Sequence, residues 1–152
     1  MLDINSLEAR YINIHGEEGC QADVLLSIEK LLGVKLPSDF VAIAKFYSGG
    51  LLGGISHHYV GVDGDATNIV RETLRLRTAI DLSPEFVVLA EPSASLVVLN
   101  VCGEPAVIWC DSTDAINISL MAYENSPDCW FSYASFFSHL LDQEELERGV
   151  AE

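Results

Sequence analysis

Apolar residues recur along this chain in two rhythms, one helical and one of strand length. Across residues 21–32 (QADVLLSIEKLL), Val24, Leu25, Ile28, Leu31 and Leu32 fall three or four apart, which gathers them into one helical stripe. Gly33 supplies the stop. Residues 36–50 (LPSDFVAIAKFYSGG) predict a second, shorter helix. Pro37 suits a first helical turn, and Ser38 and Asp39 place a hydroxyl and a negative charge at the positive end of the helix dipole. Phe40, Ile43, Ala44 and Tyr47 share its face, and burying each large side chain contributes about 1.5–3 kcal/mol. Gly49 and Gly50 then end the helix and reverse the chain.

Three further helices are predicted. Residues 5–14 form one capped by Asn5 or Ser6 and ended at Gly16. Residues 66–80 form another, capped by Asp65 or Thr67, with Ile69, Thr73, Leu76 and Ile80 inward. A last helix starts near Cys129 after Pro127 and turns Trp130, Tyr133, Phe137, Leu140 and Leu141 to the core. Strand-length apolar runs occupy 86–90, 96–101 and 106–110, separated by EPSAS and CGEP turns. The latter part of 51–63 reads as a strand, and 116–123 as one more. Helices followed by closely spaced strands and a closing helix predict an α+β fold: one domain over 1–152, its helices packed on a largely antiparallel meander. Residues 1–20 read as an N-terminal extension and 143–152 as a solvated acidic tail.

Composition narrows the class. With 49% hydrophobic residues among 152, the chain can build a core without disulfides or metal. No secretory signal and no apolar run near the roughly 20 residues of a membrane span is present, so a cytoplasmic protein is expected. Cys20, Cys102, Cys110 and Cys129 form no Cys-x-x-Cys pair; they are expected to be reduced, small and buried, with Cys102 and Cys110 facing each other across a hairpin as the alternative. Twenty-three acids against 8 bases give a net charge of −15. That balance disfavours nucleic acid and membrane surfaces and favours a basic protein partner. The plainer reading, solubility alone, weighs equally.

Candidate chemistry is sparse. The glycines of 49–54 (GGLLGG) follow a helix and lack the Gly-Lys-Ser/Thr ending of a phosphate loop. His57 and His58, adjacent on a strand, point to opposite faces and cannot easily share a metal; one is expected packed and one exposed. A calcium loop begun at Asp63 would need Glu at its twelfth position, where Leu74 stands. No Gly-x-Ser-x-Gly elbow is present. Arg71, Arg75 and Arg77, with Glu72 beside them, read as a local ion-pair network rather than a nucleic-acid footprint. No cofactor or metal is expected, and no enzymatic activity; the residues point to a binding module.

The segment IEKLLGVKLPSDFVAIAKFYSGG resembles the signature of the SUKH superfamily, which includes bacterial immunity proteins and fungal cell-wall-synthesis regulators. Leu36, Pro37, Phe40, Tyr47, Gly49 and Gly50 match, with Ser48 where Asn is common. Gly61, Asp63, Thr73, Arg77, Glu91, Glu104, Pro105 and Trp109 also fit, as does the closing SFFSHLL; Asn100 stands where Asp is more usual. The resemblance implies a non-catalytic α+β protein that neutralises a cognate polymorphic toxin, often a nuclease, by binding its C-terminal toxic domain. An effector of the LXG type is the implied partner. A regulatory scaffold binding a cellular protein is the alternative, and an enzyme of unrecognised type a distant third.

For the partner surface, the expected contacts are Asp63, Asp65, Glu91, Glu104, Asp111, Asp114, Glu124 and Asp128, exposed carboxylates of turns and strand ends converging on one rim. Trp109 and Trp130 are either anchors or core. A sheet edge or the apolar stretch 51–55 offers a homodimer surface.

Overall fold

A computed structural model describes residues 3–16, 19–64 and 67–149. Five α-helices and six strands follow in order: α1 (Ile4–His15), α2 (Ala22–Leu32), α3 (Ser38–Ala44), β1 (Gly50–Leu52), β2 (Ile55–His57), α4 (Ile69–Ile80), β3 (Phe86–Ala90), β4 (Ser95–Asn100), β5 (Val107–Asp111), β6 (Asp128–Trp130) and α5 (Tyr133–Arg148). A 3-10 helix, Ser112–Leu120, lies between β5 and β6. The strands form one sheet in the order β1-β2-β3-β4-β5-β6, every neighbour antiparallel. The expected α+β fold with its meander is what the chain adopts.

The central strands read as unbroken apolar runs because both faces of the sheet are covered. Val87, Leu89, Val97, Leu99 and Val107 pack in the larger core with Tyr11 of α1, Ile28 of α2, Phe40 of α3 and Phe137 of α5. Phe86, Val88, Leu96, Val98 and Ile108 face the other way, onto Leu76 of α4 and Ile118 of the 3-10 helix. Residues of β3 and β4 are therefore buried almost without exception, and period-two alternation disappears. Leu7 and Tyr11 anchor α1 in the core, which makes the N-terminal segment part of the fold.

The 36–50 stretch departs from expectation in an informative way. Helix α3 ends at Ala44, ahead of its glycines. Phe46 and Tyr47 lie beyond it, both buried, and the Tyr47 hydroxyl donates to the Gly50 carbonyl at 3.0 Å. Gly49 is needed for a different reason: its φ is 101°, and a Cβ there would sit 2.5 Å from the His58 carbonyl oxygen. Asp39 does more than favour the helix dipole. One carboxylate oxygen accepts the Phe40 N–H and the other accepts the Ala134 N–H in the first turn of α5, at 2.8 and 2.9 Å.

Several local expectations are corrected. The glycines at 53 and 54 turn a β1–β2 hairpin whose second strand ends at His57, so the strand expected in the latter part of 51–63 lies earlier, and Tyr59 makes only an isolated bridge to Asn68. Asp3, rather than Asn5 or Ser6, caps α1. Asn68 caps α4 by accepting the Arg71 N–H at 2.8 Å, and the helix starts at Ile69. Residues 116–123 do not form a strand: the Asp114 carboxylate accepts the N–H groups of Glu124 and Asn125 at 2.8 and 3.2 Å, folding the segment back on itself. Asp128–Trp130 is a strand, and the last helix waits until Ser132 caps it by accepting the Ser135 N–H at 3.0 Å. The acidic C-terminal segment continues α5 to Arg148 because Arg10 pairs with Asp142 and Glu145, and Arg148 with Glu144.

The cysteines also differ. Cys110 is buried, but Cys102 and Cys129 are exposed. Cys110 lies opposite Leu96, four strand positions from the end of β4, while Cys102 lies in the turn beyond it, so the two residues stand about 13 Å or more apart along the hairpin. No helix among the described residues is long and apolar enough to cross a membrane.

Candidate partner-binding surface

The eight Lys and Arg residues stand at 10, 30, 35, 45, 71, 75, 77 and 148. No Lys or Arg lies between Arg77 and Arg148, a stretch that holds β3 to β6, the 3-10 helix and most of α5. Arg10, Arg75 and Arg148 are each paired with carboxylates. The β5–β6 side of the sheet thus carries acids with no Lys or Arg of its own to offset them.

Strand register places the predicted carboxylates. Asp111 ends β5 opposite Ser95, and Asp128 opens β6 opposite Trp109, so both lie at one end of the sheet. Asn125, next to Glu124, donates its side-chain N–H to Asp111 at 2.9 Å, which brings that loop to the same corner. Asp111, Glu124 and Asp128 are exposed. These three form the rim that was expected of eight.

Of the other five, four do not join it. Asp114 is 1% exposed and its carboxylate is consumed by two backbone N–H groups, so it shapes the 3-10 helix rather than a contact surface. Glu104 is exposed, but in the β4–β5 turn; the length of β5 puts it roughly 14 Å or more from Asp111, at the opposite end of the sheet. Asp63 is exposed in the connection between β2 and α4. Asp65 lies outside the described residues. Glu91 sits at the rim's end of the sheet, but its carboxylate is held by Arg75 at 2.5 Å and His58 at 3.1 Å.

The Glu91 cluster is a structural clasp. His58 Nδ1 meets the Thr67 hydroxyl at 2.8 Å, while Nε2 meets Glu91, so the ring ties the segment before α4 to the end of β3. His58 is therefore buried like His57, against the expectation that one of the pair would be exposed. Burial pushes the Glu91 carboxyl up, but hydrogen bonds from Arg75 and His58 outweigh it and hold the group below the ordinary carboxylate range. Donor atoms of His58, Glu72 and Glu91 lie within 4.8 Å of one another, a spacing open to a metal ion. Arg75 bridges Glu72 and Glu91 there and already supplies the positive charge those carboxylates need.

Trp109 and Trp130 are half-buried neighbours with ring centroids 6.4 Å apart, and Trp130 stacks edge-on against Phe136 at 4.9 Å. They pack against the larger core and close its β6 side. What the sequence did not single out is apolar exposure on the segments that follow β5 and β6. Ile116 and Leu120 of the 3-10 helix and Phe131 after β6 are 63%, 77% and 71% exposed. Leu120 and Phe131 fall within stretches that read as strand and helix. The corner presents three carboxylates beside an open sheet edge, a combination suited to a basic protein partner.

Compared with known proteins, the chain matches no family model and no curated sequence.

Proposed function

We propose that this chain is a SUKH-like immunity protein, a cytoplasmic, non-catalytic binder that neutralises the C-terminal toxic domain of a polymorphic toxin. A nuclease of an LXG-type effector is the partner the reading favours. One observation carries it: the corner formed by Asp111, Glu124 and Asp128, on a side of the sheet without Lys or Arg and beside the open edge of β6. An enzyme that grips an anionic polymer has a basic active face. A carboxylate rim competes for that face and steers encounter, with association rates up to about 10⁸–10⁹ M⁻¹s⁻¹ at low salt. Exposed Phe131, just past β6, then supplies apolar contact area that slows dissociation.

Co-expression tests this reading. Cells producing the cognate toxic domain are expected to grow when the chain is present, and to stop growing when it carries Asp111→Lys and Asp128→Lys together. A chain that neither protects cells nor binds that domain contradicts the immunity function, and capture of a cell-wall or signalling protein instead moves the assignment to a regulatory scaffold.

A further inference from the structure

The outer edge of β6 indicates how a partner docks. The Trp130 carbonyl accepts the Ala106 N–H at 3.0 Å, so the Trp130 backbone faces β5. Alternation along an antiparallel strand then turns the N–H and C=O of Cys129 to the other side, and β6 is the last strand of the sheet. An open edge of this kind is a template for pairing with another chain. Its charge selects among partners. Asp128 lies on the edge strand itself, with Asp111 and Glu124 at the same corner. A second copy of this chain would set carboxylates against carboxylates, whereas a basic segment is complementary.

The face next to this edge is shaped as well. Asp128 opposes Trp109 and Trp130 opposes Val107, so both side chains lie on the face that carries the larger core. On that face, just past β6, exposed Phe131 borders a groove of about 690 Å³ whose walls include Ile4, Ser38, Ala134 and Ser135. Alternate residues of an added strand would pass first Asp128 and then this groove.

We propose that the partner presents an extended basic segment that joins the sheet as a seventh strand. Its backbone bonds to Cys129, its cations meet Asp111 and Asp128, and an apolar side chain enters the groove beside Phe131. This rests on the reading of the protein as a binder of a basic protein partner, and it specifies the mode of binding at that same corner.

The test is an NMR titration of the full chain, labelled with ¹⁵N, using an eight-residue peptide of alternating lysine and valine. Its control is a copy methylated at every peptide nitrogen, which keeps the charges but donates nothing to a sheet. The plain peptide is expected to shift the signals of Asp128, Cys129 and Phe131 and to slow exchange of the Cys129 amide. The methylated copy is expected to bind about tenfold more weakly or worse, and Phe131→Ser to weaken the plain peptide. Equal binding of the two peptides, shifts scattered over the acidic surface without protection of Cys129, or no binding at millimolar peptide overturns strand addition. The outcome is separable from the immunity assay: growth protection with equal peptide binding sinks the docking mode alone, and strand pairing without growth protection sinks the toxin assignment alone.

Discussion

The Tyr133 hydroxyl lies 2.9 Å from His57 Nε2, with both side chains fully buried. The bond has one direction. His57 Nδ1 is 2.8 Å from the His58 carbonyl, which only accepts, so Nδ1 carries the proton. Nε2 is then the acceptor and Tyr133 the donor, and burial keeps the phenol protonated by pushing it up. This pair joins the first turn of α5 to the end of β2 inside the core.

Removing the donor leaves a buried ring nitrogen without a partner. Tyr133→Phe is expected to lower stability by about 1–3 kcal/mol, with little change in packing, as read from urea denaturation midpoints. A midpoint equal to the parent's would show that the bond contributes nothing.

The same ring gives the fold a pH dependence. Burial drives His57 down to about 4 from its ordinary 6.5. Between those values the unfolded chain binds a proton that the folded one does not, so stability falls as pH falls through that window. The loss is about 3 kcal/mol by pH 4. Glu91 and Glu144, both held below the ordinary carboxylate range, act in the same direction: their contribution is present above the unfolded carboxylate value and is lost as pH falls through their folded values. Denaturation midpoints from pH 7 to pH 4 are expected to decline, and His57→Gln to flatten the upper part of that decline.

Asp114 and Asp128 are expected to behave oppositely. Asp114→Ala removes the acceptor of two backbone N–H groups and is expected to cost about 1–3 kcal/mol. Asp128→Ala, at an exposed strand position, is expected to stay within about 0.5 kcal/mol of the parent. Thermal melting of the two variants side by side checks the distinction between a shaping carboxylate and a rim carboxylate.

Gly53→Ala is expected to destabilise the β1–β2 hairpin by about 2 kcal/mol or more. The residue has φ 62°, and a Cβ there would stand 2.6 Å from the Leu140 carbonyl oxygen of α5. Its N–H also donates to Glu144 at 3.0 Å. Circular dichroism melting reads the loss directly.

Local pattern was a sound guide where one face of an element decides its fate. The three central strands and the meander follow from spacing and short turns and are as expected; of the α2 stripe, Leu25, Ile28 and Leu32 are buried, Val24 is half-buried and Leu31 is exposed. It failed where a single distant or polar contact governs. Nothing in INISLMAY announces that Asp114 will fold the segment back, and nothing in YSGG announces a carbonyl of β2's end pressed against Gly49. At the candidate surface, residue type identified carboxylates but not their neighbours. Asp111, Glu124 and Asp128 gather because β5 and β6 pair, Glu104 is carried away by the length of one strand, and Glu91 is claimed by Arg75. The open edge of β6 was hidden because those residues were assigned to a helix.

The most direct test of the central claim is the affinity of the chain for the proposed cognate toxic domain, measured from 50 to 500 mM salt. It is made for the parent and for the Asp111→Lys, Asp128→Lys double variant. The account expects parent binding that weakens steadily with salt, and a double variant that folds normally yet binds at least about tenfold more weakly. Binding of both proteins with equal affinity and no salt dependence would place the partner elsewhere and contradict the acidic corner as the site of action.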